Sequence, residues 1–132
     1  MDLMNLKPTS DTVEVVLKHP STLEDLTNDD GSEMTITLHA SHSKEYKKVV
    51  HDQQDRRIKM MQKKAKTQIT AQDIERDAIE LLAKVTADWN ITYGGEQPKP
   101  TPAKVKEVYT DVFWIREQIE EAFADSLDFT TA

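Results

Sequence analysis

Cysteine is absent from this 132-residue sequence, which excludes disulfides, thiolate catalysis and cysteine-ligated zinc together. Glycine occurs only at Gly31, Gly94 and Gly95, so there is no glycine-rich loop to cradle a phosphate. Aromatic residues make up 6% of the chain, and a core with so few large side chains must be thin. No apolar run is long enough to span a bilayer. The opening MDLMNL lacks the basic start and apolar stretch of a signal peptide, which predicts an intracellular protein. The balance of 17 basic against 24 acidic residues leaves a net charge of −7. That favours solubility and disfavours a dedicated nucleic-acid binder.

The length fits one domain, with a flexible arm over residues 1–12, a β region over 13–40 and a helical region over 43–129. Val13, Val15 and Leu17 alternate with Glu14, Val16 and Lys18, the period of a half-buried strand. Met34, Ile36 and Leu38 alternate with Thr35 and Thr37 in a second strand. Between them lies the turn cluster Asn28-Asp29-Asp30-Gly31-Ser32. The pattern predicts a small antiparallel hairpin or meander, with Leu23 and Leu26 partly buried in the connection. Two strands are marginal alone, so they must lean on the helices or on another subunit.

About four helices are expected after the strands, giving an α+β fold that is mostly α. The first covers residues 43–66, capped by Ser43, with Tyr46, Val49, Val50, Ile58, Met61 and Ala65 roughly on one side. Its apolar stripe is broken at Gln53 and Gln54. The second opens on Thr70-Ala71-Gln72-Asp73, a capping box with a staple between Ile69 and Ile74. Ile74, Ala78, Leu81, Leu82, Val85 and Trp89 share its apolar face. That face extends the expected helix to about Asn90, with Asp77, Glu80, Lys84 and Asp88 on the solvent side. A stiff proline-rich connector, residues 97–102, precedes a short helix with Thr101 as cap and Pro102 at its first position. Val105, Val108 and Tyr109 form its apolar edge. A final helix carries Val112, Ile115, Ile119, Ala122 and Phe123 on one face, extended by Phe113, Trp114 and Leu127, with Phe129 over its end. Trp89, Trp114, Ile115, Ile119 and Phe123 are the expected core.

Chemistry is sparse. His39, His42 and His51 form the only concentration of candidate metal ligands, and no carboxylates converge on them at a recognised spacing. They read as exposed surface histidines, as does His19. Ser41 and Ser43 beside His42 do not make a triad, which is a spatial arrangement. No catalytic, cofactor or metal site is expected, and no enzymatic activity.

Charge segregation says more. Residues 44–66 hold nine Lys or Arg against three acids, a local +6 that leaves −13 elsewhere. A solvated helix face is the ordinary explanation. A nucleic-acid contact would need stacking aromatics or a groove-reading fold, and Tyr46 is the only aromatic there. The alternative is contact with an acidic protein surface, including a neighbouring copy. Arg56, Arg57, Lys59, Met60, Lys63 and Lys64 are the candidate partner-binding residues. A core role is the more common explanation for Met60 and Met61; flexible methionines also suit adaptable apolar contacts, and binding is favoured if nothing in the monomer covers the apolar residues of this helix.

The order of motifs in the C-terminal half resembles the tail assembly chaperones of long-tailed bacteriophages. A helix running from Asp73-Ile74-Glu75 to Asp88-Trp89 leads into Tyr93-Gly94-Gly95-Glu96. Tyr109, Trp114-Ile115-Arg116-Glu117-Gln118-Ile119, Phe123 and a terminal Leu127-Asp128-Phe129 follow. Leu38-His39-Ala40 followed by Ser43-Lys44-Glu45-Tyr46 is similar to that family's strand and helix start. The resemblance spans residues 13–129. It implies a non-enzymatic chaperone in the host cell cytoplasm, absent from the mature virion. Such a protein binds the tape measure protein and keeps it soluble while tail tube subunits polymerise around it. It also implies self-association and a longer, frameshifted form. A phage structural protein, such as a head–tail completion or minor tail component, is the second reading, and a nucleic-acid-binding regulator the third.

Overall fold

The structure is a computed structural model and describes residues 2–6, 10–63 and 69–126. After a 3-10 turn at Leu3–Leu6 come strands β1 (Thr12–Val16) and β2 (Thr35–His39) and helix α1 (Lys44–Lys63). Helix α2 (Ala71–Val85), strand β3 (Thr86–Asn90) and helices α3 (Pro102–Asp111) and α4 (Trp114–Ser126) follow. The expected α+β fold is therefore present, with an antiparallel sheet in the order β1-β2-β3.

The first two strands form where alternation places them. Val13 faces Leu38 and Val15 faces Ile36 across the ladder, and Ile36 and Leu38 are completely buried. Burying each such side chain stabilises the fold by about 1.5–3 kcal/mol. The connection folds back on itself: Leu26 N–H donates to Leu17 C=O, and Met34 N–H to Leu26 C=O. Leu26 packs against the core. Leu23, expected to be partly buried, is instead 69% exposed with φ at +62°.

The third strand corrects the sequence reading. Helix α2 stops at Val85, and Thr86–Asn90 pairs antiparallel with β2, Ile36 facing Trp89, with an irregularity between Thr37 and Leu38. A spacing of four residues puts Val85 and Trp89 on one helical face, but Trp89 also satisfies strand alternation. The central strand β2 needed a partner for its second edge, and pairing decided the outcome. Thr86 marks the switch: its hydroxyl donates to Leu82 C=O at 2.7 Å and lies 2.6 Å from the Tyr109 hydroxyl. Trp89 is buried as expected, its ring meeting Tyr109 edge-on at 6.4 Å and its indole N–H donating to Pro98 C=O at 2.7 Å. The proline-rich connector is thus pinned to the core.

Local signals elsewhere are realised. Thr70 and Asp73 form both bonds of the capping box at 3.1 Å. Thr101 caps α3 through the Lys104 amide, with Pro102 in the first turn. Ser43 accepts from the Tyr46 amide at the start of α1. Ile69 and Ile74 stay exposed, so the expected staple does not bury them.

Val105, Val108 and Tyr109 are fully buried, and Ile115, Ile119 and Phe123 bring α4 onto the same cluster. Trp114 is half-buried at its margin, whereas Phe113 turns outward and is 61% exposed. Tyr109, absent from the expected core, is its largest fully buried side chain. Leu127 and Phe129 lie outside the described residues. No helix among the described residues is long and apolar enough to cross a membrane.

Candidate interaction surface at the corner of α1 and α2

The first half of α1 is anchored by Tyr46, which meets Phe123 edge-on at 5.7 Å, and by Val49. The break in its apolar stripe has a structural purpose. Gln53 is buried, and its side-chain amide donates to Asp77 C=O at 2.8 Å. That carbonyl already lies in the α2 ladder, so Gln53 adds a second bond to it, and a short apolar side chain would forfeit this link between the helices.

Asp77 is not on the solvent face, as its helical position suggested. Its side chain is 8% exposed and accepts from Arg57 Nε at 3.0 Å and Nη2 at 2.7 Å. Arg56 Nη2 lies 3.7 Å from the same carboxylate and 3.1 Å from Glu80, and Arg76 approaches Asp77 at 3.9 Å. Lys84 completes the row at 2.9 Å from Glu80. Hydrogen bonding from Lys84, then from Arg56, outweighs the desolvation of Glu80 and holds its carboxyl at about 2. The same Glu80 contact raises the Arg56 guanidinium above its ordinary value.

The candidate residues therefore divide. Arg56 and Arg57 bind α1 to α2, and their charges are matched within the molecule. Lys59, Met60 and Lys63 face outward and line a shallow groove with Asp52, Asp55 and Arg56. Among the described residues neither Lys59 nor Lys63 has an ion-pair partner. Lys64 lies outside the described residues. The surface offers less free positive charge than the tally over 44–66 implied.

It offers more apolar surface. Every residue from 58 to 63 is exposed, with about half of Ile58, Met60 and Met61 open to solvent. Met60, Met61 and Ile69 line a small cleft with Arg56, Arg57, Arg76, Asp73 and Asp77. Ile69, Arg76 and Asp77 come from α2 or its approach, and sequence spacing alone did not bring them to α1. The signal that could have found them is the polar interruption at Gln53, which marks where one helix crosses another's backbone.

His19 and His51 are exposed as expected, whereas the other two histidines are more structural than expected. His39 and His42 are partly buried rather than exposed, 3.9 Å from Glu45 and 3.6 Å from Asp11. His42 Nε2 donates to Ser10 C=O at 2.9 Å, and His19 Nδ1 accepts the amides of Ser21 and Thr22 in a turn. Among the described residues no three His, Asp or Glu side chains group to hold a metal. No protein-family model, curated protein or solved structure matches the chain.

Proposed function

We propose that this protein is a non-enzymatic assembly chaperone of the phage tail type, binding an amphipathic helical segment of a tape measure protein. The reading rests on the order of motifs along the sequence. The observation that carries it into the structure is the uncovered Met60, Met61 and Ile69 surface. Flexible methionines adapt to varied apolar partners, and an amphipathic helix laid across such a surface buries its apolar stripe. Lys59 and Lys63, without partners among the described residues, suit acidic residues flanking that stripe. One such contact is weak. Several copies along one long client gain strength through multivalency, and tube subunits forming a more favourable assembly displace them without ATP. The protein then remains in the host cytoplasm and is left out of the virion.

Co-production with the tape measure protein tests this. The wild type keeps the client in the soluble fraction and co-purifies with it. A Met60→Ser, Met61→Ser, Ile69→Ser variant that retains its fold loses both effects. Recovery of the protein in purified particles at structural stoichiometry would favour a tail or head–tail component instead.

A further inference from the structure

A second surface lies at the free edge of the sheet, on β1. The ladder to β2 uses the odd-numbered residues: Leu17 N–H donates to Met34 C=O, and Ala40 N–H to Asp11 C=O, in the register that pairs Val13 with Leu38. By the alternation of antiparallel pairing, the polar backbone groups of Thr12, Glu14, Val16 and Lys18 point away from β2. Both ends of this outer row are closed by side chains. Ser10 Oγ accepts from the Thr12 amide and donates to Thr12 C=O. Gln118 of α4 binds both backbone groups of Lys18, accepting from N–H at 2.9 Å and donating to C=O at 2.8 Å, as a neighbouring strand would. Between these closures, the outward groups of Glu14 and Val16 have no partner among the described residues.

That open stretch forms one wall of a groove of about 380 Å³ whose other wall is α4. Val16 and Ala122 supply apolar lining, and Leu23 stands beside them. Leu23 is the one non-glycine residue with positive φ among the described residues, and it is held largely exposed. A bulky residue in that conformation costs about 1 kcal/mol or more, and such strain concentrates at contact sites. Glu14, Glu121 and Asp125 line the groove against a single Lys18.

We propose that this groove binds an extended, basic segment of a partner protein by strand addition to β1. The partner's backbone pairs with Glu14 and Val16, an apolar side chain rests on Leu23, and Lys or Arg residues meet Glu14, Glu121 and Asp125. A gap between an edge strand and a helix is the setting in which added strands are bound elsewhere. Self-pairing of β1 with β1 of a second copy would bring these acidic walls together, so charge selects a basic partner. The inference is independent of the role assigned to the α1–α2 corner.

The test is amide NMR titration of the full chain with a capped Thr-Lys-Val-Lys-Val peptide. Saturable downfield shifts and slowed exchange are expected at the Glu14 and Val16 amides, weakening as salt rises from about 0.05 to 0.5 M. Val16→Pro removes an outward amide that the β2 ladder does not use, as edge strands tolerate, and should abolish the shifts while the Trp89 spectrum stays native. Glu121→Lys should weaken binding roughly tenfold, and Leu23→Asn, which accepts positive φ, roughly fivefold. Three results would overturn the proposal: shifts confined to α1, binding unaffected by Val16→Pro, or equal shifts on concentrating the protein without peptide.

Discussion

Gln53 on α1 donates its side-chain amide to the backbone carbonyl of Asp77 on α2, and the side chain of Asp77 is held in turn by Arg57. One residue of α2 thus anchors α1 twice, through its backbone and its carboxylate. Replacing Gln53 with Ala removes this inter-helix hydrogen bond while Asp77 C=O keeps its place in the α2 ladder, and should cost about 0.5–1.5 kcal/mol. Urea unfolding measures it; an unchanged midpoint would mean that water replaces the amide without loss.

The carboxylate anchor should be the stronger one. Asp77→Ala leaves Arg57 unpaired and Arg56 with only Glu80, at a cost of about 2–4 kcal/mol, moderated because both arginines are partly exposed. A double-mutant cycle with Arg57→Ala should return a coupling of about 1 kcal/mol or more. Strict additivity would show that the pair contributes nothing.

Trp89 joins the sheet, α3 and the connector. Trp89→Ala should cost about 3–5 kcal/mol. Trp89→Phe keeps much of the ring packing but strands Pro98 C=O, and should cost less, about 1–2 kcal/mol. Intact folding with unchanged thermal stability in the alanine variant would remove Trp89 from the core.

Acid should loosen the same corner. Because the folded-state value of Glu80 lies near 2, below its ordinary 4.5, ionised Glu80 favours the folded state. That contribution is fully present above about pH 4.5 and disappears as pH falls towards 2. Arg56 and Lys84 are about half exposed, so solvent screening limits it to roughly 1–2 kcal/mol. Glu80→Gln should flatten stability against pH in this window and lower it at pH 7; an unchanged profile would contradict the assignment.

Most local signals were declared by the sequence, the Ile69–Ile74 staple excepted. The Thr70 and Thr101 caps, the alternation in β1 and β2, and the faces of α3 and α4 are all set by neighbours within a few residues. What depended on distant partners was hidden. Trp89 fits both periods, and only the unfilled edge of β2 made Thr86–Asn90 a strand. Asp77 occupies a nominally polar position, yet the crossing of α1 buries it. At the candidate interaction surface, the clustering of Lys and Arg was visible. Which charges are consumed internally was not, because Arg56 and Arg57 find their acids more than 19 residues along the chain.

Between Val85, the last residue of α2, and Thr86, the first of β3, no linking residue exists. An inserted residue on the helical side would turn everything beyond it by about 100°. On the strand side it would swap the two faces and carry Trp89 into water. Chain length is locked at this joint. It has freedom at Gly31 and at Gly94-Gly95, whose positive φ marks open turns. Insertion scanning across the protein should find tolerated sites at those turns and none from Leu82 to Trp89.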